Sequence, residues 1–178
     1  GTVGSGVQWL EQAVSEQLGH LLDAGKSTHD QLRWVRRETE PDLPLQAIAR
    51  LETALSRANE ILTAISNRDD GRELLRHAFL TTGANSETWE KNVSTVEEKL
   101  ASEGLNLEVE VENGGNMREA LGAYTRASTD SELGHILLNA DWIATGASEQ
   151  DLVDVLLEES GHALDQLLNP LSDSTGDE

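Results

Sequence analysis

The chain has 178 residues, 37% hydrophobic and 26% charged, enough apolar material for one domain with a real core. Its 33 acidic and 13 basic residues give a formal charge of -20, a surface that repels phosphate backbones and anionic lipid, so nucleic acid and membrane are excluded as partners. The absence of cysteine excludes disulfides, thiolate metal sites and a cysteine nucleophile.

In chain order, Leu10, Val14, Leu18, Leu21 and Leu22 recur at helical spacing and predict a helix over 7–24, ended by Gly25 and Ser27. The segment HDQLRWVRRE follows and is counted with a helical first third. Beyond Pro41 and Pro44, the series Leu45, Ile48, Leu51, Leu55, Leu62 and Ile65 predicts a long helix. Asp69 or Asp70 caps a further helix through LLRHAFL, and Ser86 caps another that stops at Gly104, whose missing side chain suits a left-handed turn. The period then changes. LNLEVEVE alternates Leu105, Leu107, Val109 and Val111 with polar residues, the pattern of a strand with one buried face, and ENGGN reads as a turn. MREALGAYTRAS fits a helix at its start and a strand at LGAYTR, whereas the apolar run HILLNADWI predicts a second strand.

The last helix is the best defined. Ser148 caps it with Asp151 three residues on, and Leu152, Val155, Leu156, Ala163, Leu164 and Leu167 carry it to Asn169 and Pro170. The expected architecture is α+β and mainly helical, with a helical region over 1–104 and a strand and helix region over 105–178 in one folding unit. The Gly/Ser-rich start and the acidic end LSDSTGDE are expected to be cuts in a larger protein. Neither a membrane span nor a secretory signal is legible in the chain.

Chemistry concentrates on that helix. At about 100° per residue, Glu158, His162 and Asp165 fall within an arc of about 60°, with Glu159 on its flank. Spacing of i and i+4 is what zinc peptidases use for two helix ligands, with an intervening glutamate activating water. The same arc holds Asp151 and Asp154 opposite the apolar face, so on spacing alone a plain solvated stripe is the better account. Gly161, costing about 1 kcal/mol relative to alanine inside a helix, hints at a close neighbour. An internal echo matches five of eight positions between 16–23 and 158–165: Glu16, Gly19, His20, Leu22 and Asp23 against Glu158, Gly161, His162, Leu164 and Asp165. Convergence of two amphipathic helices accounts for it as well as a repeat does. His29, His77 and His135 read as surface or core-edge residues.

The run LNADWIATGASEQDLVDVLLEESGHALDQLLNPLSDSTGDE, with GAYTRAS and ILLNADWI before it, resembles a zincin-like segment near the head of large secreted bacterial proteins with calcium-binding, repeats-in-toxin type sequence. In zincins an edge strand lining the substrate cleft precedes the metal helix, as HILLNADWI precedes Glu158 here. The resemblance implies a secreted or cell-surface zincin-like metallopeptidase-type domain acting on a peptide or protein. It makes Glu158 and His162 zinc ligands, with Asp165 as a further oxygen donor, and Glu159 the general base. The departures are a first ligand that is glutamate rather than histidine and the lack of a firm third ligand, for which only Asp165, Asp177 or Glu178 offers oxygen. The domain therefore reads as degenerate. Two rival classes fit the same residues: a non-catalytic interaction or spacer module of an adhesin, and a calcium-responsive module using Asp151, Asp154, Glu158 and Asp165.

Overall fold

A computed structural model describes residues 30–67, 69–80, 86–127 and 133–169. The helix expected over 7–24, the echo at Glu16–Asp23, and His29, Asp177 and Glu178 lie outside these residues.

The first described element corrects the sequence reading. Within HDQLRWVRRE, Leu32–Trp34 is a strand, β1, with Leu32 buried, Arg33 exposed and Trp34 half-buried. Three residues of period-2 pattern are too short to stand out, and their state is decided by a distant partner. Leu32, Arg33 and Trp34 pair in parallel with Leu107, Glu108 and Val109.

Helix α1 (Leu45–Asn67) starts at Pro44, whose carbonyl accepts from the Ile48 amide at 3.0 Å. Its buried stripe alternates Leu51, Leu55, Ile61, Leu62 and Ile65 with Ala54 and Ala58, small residues that let neighbouring helices approach. Leu45, expected on the apolar face, sits in the first turn and is 84% exposed. Helix α2 (Gly71–Phe79) follows Asp70 in the capping position and buries Leu74, Leu75 and Phe79. Helix α3 (Ser86–Ser102) buries Trp89, Val93, Val96 and Leu100 at four- and three-residue steps. Gly104 ends it with φ +84°, its amide donating to the Lys99 carbonyl at 2.7 Å; a Cβ there would lie 2.2 Å from the Asp30 carbonyl oxygen.

Strand β2 (Leu107–Glu112) turns Leu107, Val109 and Val111 into the core as expected. Strand β3 (Gly122–Thr125) resolves the ambiguous segment in favour of a strand at LGAYTR. HILLNADWI divides in two: strand β4 (His135–Asn139) and helix α4 (Ala140–Thr145). Asn139 makes the switch, since its side-chain oxygen accepts from the Asp141 and Trp142 amides at 2.9 and 3.2 Å. Helix α5 (Glu149–Leu168) opens with the expected capping box, Ser148 and Asp151 bonding each other's backbone amides at 3.0 and 3.1 Å.

The sheet runs β1-β2-β4-β3, parallel except for β3, which is antiparallel to β4 at one edge. The fold is thus α+β and mainly helical, with the helices gathered on one face of a small sheet. One continuous apolar core runs from Leu32 to Leu168, and the β1–β2 pairing joins residues on either side of position 104. Helix α5 packs between α1 and α3 on one side and β3 and β4 on the other, with Leu152, Leu156, Ala163 and Leu164 buried and Leu167 half-buried.

The buried Gln31 holds the seam between the two layers. Its Nε2 donates to the Leu100 carbonyl at 3.0 Å and to Thr63 Oγ1 at 3.2 Å; its Oε1 accepts from the Leu105 amide at 2.9 Å. Its own amide donates to Asn59 Oδ1. The opposite face of the sheet carries charge. Arg37 grips Glu110 through Nε and Nη2 at 2.9 and 3.0 Å, and Arg33 meets Glu108 at 3.2 Å.

Candidate functional site

The helix that carries the sequence motif is buried on more than one side, because it is wedged between α1, α3 and the edge of the sheet. This divides the expected site residues. Glu158 is exposed, His162 and Asp165 are half-buried, and Glu159 is 9% exposed. Asp154 accepts from Gln150 Nε2 at 2.8 Å, an exposed turn-to-turn contact. Asp165 accepts from Asn169 Nδ2 at 2.8 Å, and Asn169 also donates to the Phe79 carbonyl at 3.1 Å, so Asp165 helps finish the helix against α2.

Glu159 leaves the solvated arc for β3. Gly122 permits this: a Cβ there would stand 2.5 Å from Val155 Cγ1 and 3.5 Å from Glu159 Cγ, so α5 lies directly against the strand. The Tyr124 amide lies near the Glu159 carboxyl group and favours its charged form. Burial, and after it the charge of Glu158, pushes the Glu159 carboxyl up to about 7 despite that amide. Tyr124 is itself tied on both sides. Its hydroxyl donates to Gln166 Oε1 at 2.6 Å and accepts from the Gly134 amide at 2.9 Å, and burial pushes its phenol up.

The donor set does not fit a catalytic zinc, which takes three protein ligands and an open position. Glu158 and His162 offer two donors one turn apart, Asp165 is engaged with Asn169, and Glu159 is buried against the sheet. Among the described residues no group of three His, Asp or Glu side chains is placed to hold a metal ion. The edge-strand position beside α5 belongs to β3, whereas HILLN is internal, paired on both sides. One cluster escaped sequence reasoning. His135 Nδ1 lies 3.7 Å from Glu110 Oε2, on the carboxylate that Arg37 holds. The three come from separate segments, so no spacing along the chain announces them; only the adjacent β2–β4 register brings His135 and Glu110 together.

The chain matches no family model, no curated protein and no solved structure. Among the described residues no helix is long and apolar enough to cross a membrane.

Burial of Glu159 has a measurable sign. The folded carboxyl titrates near 7 and an unperturbed one near 4.5, so the native state holds the extra proton between those values. The associated stability is complete below about pH 4.5 and is lost as pH rises through 7. Glu159→Gln keeps an oxygen acceptor for Tyr124 and removes the charge. It should match the wild type near about pH 4 and exceed it by about 2 kcal/mol near about pH 8 in denaturant titrations. A difference that does not change with pH would show the carboxylate to be fully hydrated.

Proposed function

We propose that the chain is a zincin-like domain of a large secreted bacterial protein whose peptidase chemistry is lost, so that it serves as a non-catalytic module. The observation that carries this reading is Glu159, which stands at the general-base position of the motif and is buried against the edge strand at Gly122. A base that activates water must reach that water. Two features support the zincin likeness. An edge strand, β3, precedes the motif helix in the chain and lies against it at Gly122. Glu158 and His162 keep the i and i+4 spacing of the helix ligands. The substituted first ligand and the engagement of Asp165 support the loss of function.

The test combines calorimetry with a peptidase assay. Zinc should bind weakly, as expected of two donors, and His162→Ala should remove that binding. Wild type and Glu159→Gln should both leave a generic unstructured peptide intact in the presence of zinc. Turnover that is lost in Glu159→Gln would overturn the reading and restore an active peptidase. Calcium binding indifferent to His162→Ala but lost in Glu158→Gln would instead support the calcium-responsive module.

A further inference from the structure

The sheet ends beside α5 at a strand whose outward groups can be identified from the ladder. The Asn139 amide donates to the Leu121 carbonyl at 3.0 Å, and Ala123 and Thr125 pair with Leu137 and His135. Backbone groups alternate in direction along an antiparallel strand. Leu121, Ala123 and Thr125 therefore face β4, while Gly122 and Tyr124 turn their amides and carbonyls to the side on which β3 has no strand partner among the described residues. Glu159 Cγ stands 3.5 Å from where a Gly122 Cβ would lie, which brings its carboxyl group beside the outward amide of Tyr124. Around Glu159 on α5 the residues Leu156, Leu157 and Ala163 are apolar and fully packed, so helix packing alone does not call for a carboxylate here.

We propose that Glu159 guards the free edge of β3 against pairing with a second copy of this chain. Uncovered edges invite strand addition, and covering the edge with a neighbouring helix is one of the ways a sheet prevents it. The segment itself favours a second copy as the occupant. Residues 120–125 carry no charge in a chain that is 26% charged, and Leu121 is 44% exposed. An antiparallel pair centred on Ala123 sets Gly122 of one copy opposite Tyr124 of the other. Both have their hydrogen-bonding groups outward, so each such pair exchanges two bonds. The same register places Arg126 of one copy opposite Ala120 of the other, next to Glu119, so the flanking charges are opposite in sign. The guard acts by offering the Tyr124 amide an oxygen acceptor on the line where the second strand would lie. This inference shares the placement of Glu159 against β3 with the peptidase reading, but it needs neither metal nor substrate.

Because the chain has no cysteine, a thiol at Ala123→Cys reports only contact with another copy of itself. In the proposed pair Ala123 is the central, non-hydrogen-bonded position, where Cα atoms approach to about 4.5 Å, within disulfide reach. Ala123→Cys combined with Glu159→Ala should give at least about tenfold more disulfide-linked dimer than Ala123→Cys alone under the same mild oxidation. In light scattering the cysteine-free Glu159→Ala protein should shift from monomer to dimer with rising concentration, while Glu159→Gln, which retains an acceptor, should behave as wild type. Glu159→Met refills the volume without an acceptor and repeats the test if the alanine variant unfolds. Equal cross-linking with and without Glu159, or a folded variant lacking the acceptor that remains monomeric, would overturn the proposal.

Discussion

Gln31→Leu should destabilise the protein by about 4 kcal/mol, although it places an apolar residue of similar size in a fully buried position. Three polar groups from three elements converge on that one amide: the Leu105 amide entering β2, the Leu100 carbonyl at the end of α3 and the Thr63 hydroxyl of α1. With leucine, the Leu105 amide and the Leu100 carbonyl lose this partner in a place water does not reach, and each buried unpaired group costs about 1 to 3 kcal/mol. The added apolar burial offsets only part of that. Gln31→Glu is the informative companion. It keeps an oxygen for Leu105, but sets a carboxylate against the Leu100 carbonyl, so its deficit should be larger near neutral pH than in acid, where the carboxyl can be protonated. Urea titrations of both variants at two pH values give the answer. A loss below about 1 kcal/mol for Gln31→Leu would mean that the three groups find other partners.

Leu156→Ala should cost about 2 to 5 kcal/mol. Leu156 is fully buried on α5, the helix that touches α1, α3 and the sheet, so the missing atoms leave a void at the junction of both layers. Rigid elements on every side limit collapse into that void, which favours the upper half of the range. A change below about half a kcal/mol would show that this face is not core.

These two residues mark the difference between what sequence pattern carries and what it does not. Leu156 belongs to a twenty-residue helix with a cap, a stop and an apolar series, and each of those signals acts within a few residues along the chain. The long helix α1 and the alternation of β2 were legible for the same reason. Gln31 has no such context: it lies beside a three-residue strand and bonds to Leu105, 74 positions later, so its environment is created wholly by tertiary packing. Glu159 is the intermediate case. Helical periodicity placed it correctly on the flank of the polar arc, but whether that flank met water or protein depended on MREALGAYTRAS, the segment whose own pattern supported two conformations. Once β3 forms with Gly122 facing Val155, the flank becomes an interior. Arg37, Glu110 and His135 lie further still from local rules, being assembled by strand register across an open face.

The parallel pairing of β1 with β2 also has a bearing on how the chain acquires its shape. Helices α1, α2 and α3 all lie between the two strands, and each can form from neighbouring residues, whereas β1 must wait for a partner made much later. Closing so large a loop is entropically unfavourable until the core it encloses is present. During synthesis β1 therefore emerges first among the described strands and is secured only after α3 and β2 have followed. In that interval its unpaired backbone is exposed to other chains, and the rate at which β2 arrives sets how long the exposure lasts.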